Sequence, residues 1–252
     1  MDNLETTAQF LKDNGIFLDE QYDLDHYIGS GSFALVYKVK NKEKVLKIYR
    51  KDTGYDFNKY NLLKNKGFNN VVKVYYNKEL SIPNVTDPVA ITVLELLHET
   101  NLPKSISLSI VMSHLEDEYH RNHPDYSEGI NELNKKIVDF FKEDHDPKRF
   151  YGGYEVGDGL VALKETIKNY KNNKELLYLL LYCYFHYSIN NYGSVTEKIK
   201  VLESIADNRD MFEDILNGIK EFETIGDRHD DIHIGNILYS KKDKNYKLID
   251  PI

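Results

Sequence analysis

The period of the apolar residues changes once along this chain of 252 residues. From Tyr27 to about Leu97 they fall in short β-branched or aromatic runs, "YIGSGSFALVYKVK", "KVLKIYR", "VVKVYY" and "AITVLELL", parted by polar turns such as "NKEK". Alternation at a period of two builds half-buried strands, so these four runs predict a small sheet. Between the second and third runs, "DTGYDFNKYNLLKN" sets Phe57, Tyr60, Leu62 and Leu63 near helical spacing, and one helix is expected to interrupt the strands.

After Leu97 the period becomes about 3.6. Ile110, Val111 and Leu115 mark one helix; Ile130, Leu133, Ile137, Phe140 and Phe141 mark another. Asn172 and Asn173 offer a cap to the tyrosine-rich run "LLYLLLYCYFHYSI", and Met211, Phe212, Ile215, Leu216, Ile219 and Phe222 form the apolar stripe of a last helix. The four glycines of "YGGYEVGDGL", Tyr151 to Leu160, predict a mobile internal loop. The tail returns to strands: "NILYS", a polar turn "KKDKN" and "YKLID" read as a hairpin. The expectation is an α+β chain with an N-terminal antiparallel sheet lobe plus one helix at 1–97, and a mostly helical C-terminal lobe at 98–252.

Composition removes several classes of function. With 41 acidic residues against 33 Lys and Arg, no protein-wide positive field attracts a phosphate backbone or anionic lipid, so nucleic acid and membrane are not expected partners. The run at Leu176 to Ile189 is shorter than the roughly 20 residues that span a bilayer and carries tyrosines and a histidine, which makes it a core helix. Cys183 is the only cysteine, which excludes an internal disulfide, and the polar start lacks a secretory pattern; a cytoplasmic protein is expected.

Three constellations carry chemistry. In "GSGSFALVY", Gly29 and Gly31 let backbone N–H groups approach a phosphate without a Cβ in the way, although two glycines also suit any hairpin turn. A dinucleotide fingerprint would need a helix next, and a Walker loop would need a following Gly-Lys; neither is present. Lys47, in "VLKIY", either occupies the exposed position of an edge strand or sits beneath that glycine turn. Last, His229, Asp231 and Asn236 fit H-x-D-x-x-x-x-N, with Asp250 one hairpin later. For phosphoryl transfer, one carboxylate deprotonates the attacking hydroxyl, while an amide oxygen and a second carboxylate hold Mg²⁺. "HDDIH" as a zinc site would lack the glutamate and the helix that such a site uses, and a solvated acidic loop would leave the Asn236 spacing unexplained.

In this order the motifs resemble the eukaryotic-type protein kinase and aminoglycoside phosphotransferase superfamily over roughly Phe17 to Ile252. "IGSGSFALVY" is similar to its glycine-rich loop, with Ala34 in place of the third glycine, "VLKIY" to its lysine strand, "VLELL" to its hinge and "HDDIHIGN" to its catalytic loop. The form D-x-H-x-G-N-I followed by Asp-Pro resembles the early serine/threonine kinases of T-seven-type bacteriophages. The resemblance implies a bilobal kinase-like fold, ATP and Mg²⁺ as cofactors, and Asp231 as general base. It further implies Asn236 and Asp250 as metal ligands, and Gly29, Ser30, Gly31, Ser32, Val36, Lys47, Glu95 and Leu97 around the nucleotide. A protein substrate is expected, in the host cytoplasm if the chain is phage-encoded; a small-molecule acceptor, or a pseudokinase acting as a binding module, are the alternatives.

The chain departs from the pattern in three places. The interrupting helix has no glutamate for Lys47, and Asp56 is the nearest acid. Asp230 replaces the catalytic-loop arginine, so control by an activation-loop phosphate is not expected. With two residues after Asp250, the expectation is a truncated C-terminal lobe whose substrate platform lies within Leu97–Asp227.

Overall fold

The computed structural model describes residues 27–30, 34–39, 42–49, 57–64, 66–81, 89–100, 102, 106–122, 156–190 and 194–250, with isolated positions before residue 22. The helix expected over Ile130–Phe141 lies outside them, as do Gly31, Ser32 and Asp56. Two compact units are distinguished: Met1–Glu99 with Lys220–Asp231 and Leu238–Ile252, and Thr100–Ile219 with Ile232–Ile237.

The first unit is built on an antiparallel sheet. After a minimal pair, β1 (Ile16–Phe17) and β2 (Glu20–Gln21), come β3 (Tyr27–Ser30), β4 (Ala34–Lys38), β5 (Lys44–Tyr49), β6 (Val74–Leu80) and β7 (Val89–Glu95), in spatial order β3-β4-β5-β7-β6. The sheet therefore has five strands where the sequence shows four apolar runs, because the first run contributes two paired strands, β3 and β4. Val39, Leu46, Ile48, Val89, Ile91 and Val93 form one core cluster, with Leu35, Tyr37, Tyr76 and Leu80 packed against it. Each fully buried aliphatic side chain contributes about 1.5–3 kcal/mol. The expected helix is present as α1 (Phe57–Leu63).

Register places one residue from each strand in a single row: Gly29 pairs with Val36, Val36 with Lys47, Lys47 with Thr92 and Thr92 with Asn77. Since side chains alternate between faces, Lys47 and Tyr49 share the face opposite Leu46 and Ile48.

The C-terminal hairpin, β8 (Ile237–Ser240) and β9 (Asn245–Leu248), is fastened at two places. Val71 bridges Leu248 in parallel, with Val72 N–H donating to Leu248 O and Leu248 N–H to Asn70 O, both at 2.9 Å. His98, just past β7, exchanges two bonds with Tyr239. A buried charge network adds to this: Lys247 Nζ donates to both oxygens of Glu95 at 2.9 and 3.1 Å and to Asp243 at 2.6 Å, and Lys73 Nζ donates to Asp243 at 3.1 Å.

The second unit is helical: α2 (Ile106–Asn122), α3 (Val156–Tyr170), α4 (Lys174–Asn190), α5 (Val195–Asp207) and the greater part of α6 (Arg209–Glu223). Helices α2 to α5 pack on one another, and Tyr170 of α3 donates to Ile205 O of α5 at 2.7 Å. The Asn173 side chain caps α4, accepting from Leu176 N–H at 3.1 Å, as the sequence suggests. The glycine-rich stretch is a correction. Val156 to Leu160 begins α3 and is not a loop, because Gly157 and Gly159 fall in its first turns, ahead of the helix-forming "LVALKETIKNY". Tyr151–Glu155 lie outside the described residues. Among the described residues no helix is long and apolar enough to cross a membrane.

Candidate active site

Strand β5 is the middle strand of the sheet, so Lys47 is not at an edge. Its neighbours Leu46 and Ile48 are buried in the core cluster, and its own side chain is 11% exposed. A buried ammonium needs a partner. The partner is Asp250, whose Oδ1 accepts from Lys47 Nζ. No spacing in the sequence predicts this pairing, which joins the expected metal ligand Asp250 to the lysine that lacks an acid on α1. Lys47 Nζ also lies 5.0 Å from the centroid of the Tyr49 ring, in the range of a cation–π contact.

Helix α1 supplies two further groups. Tyr60, 2% exposed, directs its hydroxyl to Asp250 Oδ1 at 3.4 Å and hydrogen-bonds Tyr49 through the two hydroxyls. Lys59, also buried, donates to Arg228 O at 2.9 Å and pairs with Asp227 at 3.4 Å, which ties α1 to the segment leading into Asp231. Glu221, near the end of α6, accepts from Asn69 N–H and Asn70 N–H at 2.8 and 2.9 Å, and burial pushes its carboxyl above the usual range.

His229 joins the two acidic positions. It is fully buried, edge-on to Phe222 with ring centroids 5.4 Å apart. Burial lowers its pKa from the ordinary imidazole value, against the opposing pull of its bond to Ile249 O, so the ring is neutral near pH 7. The partners fix the tautomer: Nε2–H donates to Ile249 O at 2.7 Å, and Nδ1 accepts from Asp231 N–H at 3.3 Å. One imidazole thus holds the backbone at Asp231 and at the residue before Asp250. Asp250 itself has φ +54, a left-handed conformation that Asp tolerates better than most residues.

The other sequence-derived positions divide as follows. Gly29 and Val36 share the cross-strand row of Lys47, and space is open over Gly29, where an added Cβ would meet nothing within 4 Å. Ser30 closes β3. Glu95 ends β7, its N–H given to Lys73 O at 3.1 Å and its side chain to the Lys247 network; Leu97, buried, lies between Leu96, bonded to Glu43 O, and His98, bonded to Tyr239. Asn236 belongs to the second unit, buried in a 3₁₀ turn (Ile234–Asn236) headed by His233, whose Nδ1 accepts from Gly235 N–H at 3.0 Å. Both histidines of "HDDIH" are therefore engaged with backbone groups on non-helical chain, unlike the helical pair of a zinc site.

Tyr49, Tyr60 and the polar pair Thr92–Asn77 were not among the sequence-derived positions. Thr92 Oγ1 donates to Asn77 Oδ1 at 2.8 Å within the Lys47 row, and Asn77 continues to Asn61 of α1 at 3.3 Å. The only sequence signal for Tyr60 was its place on the apolar side of α1.

Among the described residues no group of three or more His, Cys, Asp or Glu gathers that could hold a metal by itself, so Asp250 would hold a hard cation only together with phosphate oxygens and water. Asp250 is 28% exposed; its Oδ1 takes the bonds from Lys47 and Tyr60, and its Oδ2 takes none from a described residue. Mg²⁺ is held by one or two protein oxygens together with phosphate oxygens and water. No protein-family model matches this chain, and no curated protein sequence does.

Proposed function

We propose that the chain is an ATP- and Mg²⁺-dependent phosphotransferase to an alcohol acceptor, with a bilobal kinase-like architecture and Ser or Thr hydroxyls of proteins as its acceptors. The observation that carries the reading is the meeting of Lys47 and Asp250, 203 positions apart, on the face of the sheet that also bears Val36 and the open backbone at Gly29. A cation from the central strand beside a carboxylate from a terminal hairpin forms the pair that phosphoryl transfer uses at the two ends of a triphosphate.

In this reading Lys47 neutralises phosphate oxygens, and the phosphates lie along the open backbone at Gly29. Asp231, its backbone held by His229, takes the proton of the acceptor hydroxyl as that oxygen attacks the γ-phosphorus. The bond to the β-phosphate oxygen breaks and ADP leaves. Asp250 would hold Mg²⁺, which when bound supplies positive charge against the phosphates. Backbone groups of Leu97, past the end of β7, face adenine.

Transfer of γ-labelled phosphate from Mg²⁺-ATP, in the presence of cell lysate, tests the reading with wild type and Asp231→Asn. Labelled protein with wild type, reduced roughly 10²–10⁴-fold in the variant, is the expected result. Label on metabolites alone would move the acceptor to small molecules. Binding of ATP without any transfer would make the chain a nucleotide-binding module.

A further inference from the structure

Helix α1 carries no acid among Phe57–Leu63, yet Lys47 and Asp250 meet beneath it. The position facing them is Tyr60. Building on the phosphotransferase reading, we propose that Tyr60, backed by Tyr49, is a positioning residue that keeps Asp250 oriented for its cation when Lys47 turns to phosphate.

The argument begins with the hydroxyl protons. A tyrosine has one O–H to give. Tyr60 gives its own to Asp250 Oδ1, so in the bond between the two hydroxyls Tyr49 is the donor, and a directed chain runs Tyr49 to Tyr60 to Asp250. Such a chain polarises along its length, which strengthens the last bond. Both rings are buried, 5.6 Å apart at 57°, so the hydroxyls are presented from fixed positions.

The second step concerns charge. In the absence of nucleotide Lys47 both anchors and neutralises Asp250. A triphosphate draws the ammonium away, and a carboxylate left with no donor on Oδ1 would rotate about its side-chain bonds. A neutral hydroxyl on that oxygen prevents the rotation without cancelling the carboxylate charge, and the Oδ2 edge stays presented with its full negative charge. A lysine in the same place would compete with the cation. Lys59, the one cation near Tyr60 on α1, is directed instead to Arg228 O and Asp227.

Tyr60→Phe removes the hydroxyl and keeps the ring. The probe is Mn²⁺, titrated by electron paramagnetic resonance into the full chain with a non-hydrolysable ATP analogue. Loss of one hydrogen bond to a charged group is expected to weaken Mn²⁺ about tenfold. Metal-free ATP affinity should stay near wild type, the unfolding temperature should fall by no more than the loss of the hydroxyl's own bonds to Tyr49 and Asp250 accounts for, and phosphotransfer should recover at excess Mg²⁺; Tyr49→Phe should move the same way by less. Unchanged Mn²⁺ affinity in both variants of an active protein overturns the proposal. So does a loss shared equally by Mn²⁺ affinity, ATP affinity and unfolding temperature, which marks a role in packing alone. A wild type that transfers no phosphate and binds no Mn²⁺-nucleotide overturns the phosphotransferase reading, and this inference with it.

Discussion

The Lys47 ammonium, on the middle strand of the sheet, is bonded to the Asp250 carboxylate two residues beyond the last strand. Sheet and tail are thereby joined at the point where the proposed chemistry needs opposite charges. The pair also means that phosphate must draw Lys47 away from a carboxylate before the ammonium can serve it. Lys47→Met is expected to weaken metal-free ATP about ten- to a hundredfold, the range for a bond to a charged group, as measured by calorimetry.

The Lys247 network is a structural tie. Its ammonium is fully buried and bonded to both oxygens of Glu95, which is 8% exposed. Removing one member leaves an uncompensated buried charge, so Lys247→Met is expected to cost about 3–5 kcal/mol in urea unfolding. The double variant Lys247→Met with Glu95→Leu should recover a large part of that loss, because both charges are then gone.

Asp243 makes the same network sensitive to acid. Its bond to Lys247, with a further contribution from Lys73, holds the carboxyl down at about 2 from an ordinary 3.8. A folded-state pKa below the unfolded one contributes stability that is fully present above 3.8 and is lost as pH falls through about 2. Wild type should lose stability over that window relative to Asp243→Asn, in unfolding midpoints measured at successive pH values.

Gly235 sits under His233. A Cβ there would lie 2.8 Å from His233 Cε1, and because that ring is exposed it can swing away, giving up its bond to Gly235 N–H. Gly235→Ala is expected to cost about 1 kcal/mol of stability, the worth of one hydrogen bond.

His229 carries a pH dependence of opposite practical range to that of Asp243. Its folded pKa lies below 6.5, so the stability it contributes is complete above that value and declines as pH falls below it, when the unfolded chain takes up a proton that the buried ring resists. His229→Gln should flatten this decline between neutral and mildly acid pH.

What the sequence made legible was local. The alternating runs gave the strands, the spacing of Phe57 to Leu63 gave α1, and Asn173 marked the start of α4. Helix α5 has a legible start that the apolar spacing alone does not show, the capping box of Ser194 and Glu197, both halves of which are formed. The glycines at 157 and 159 signal a loop locally, but the helix-forming residues after them extend α3 back through both. Non-local facts were hidden. The pairing of Lys47 with Asp250, the Tyr49–Tyr60 hydroxyls and the burial of Lys247 against Glu95 depend on which strand is central and where the hairpin is fastened, and no spacing encodes that.

The most direct measurement is the affinity for ATP with and without Mg²⁺, by calorimetry, in wild type and Asp250→Asn. In wild type, Mg²⁺ is expected to tighten ATP binding, because the cation takes the Asp250 charge as Lys47 goes to phosphate. The variant should bind metal-free ATP at least as tightly as wild type, with Lys47 already released, and gain nothing from Mg²⁺. Equal Mg²⁺ enhancement in both proteins, or no ATP binding by wild type, would contradict the account.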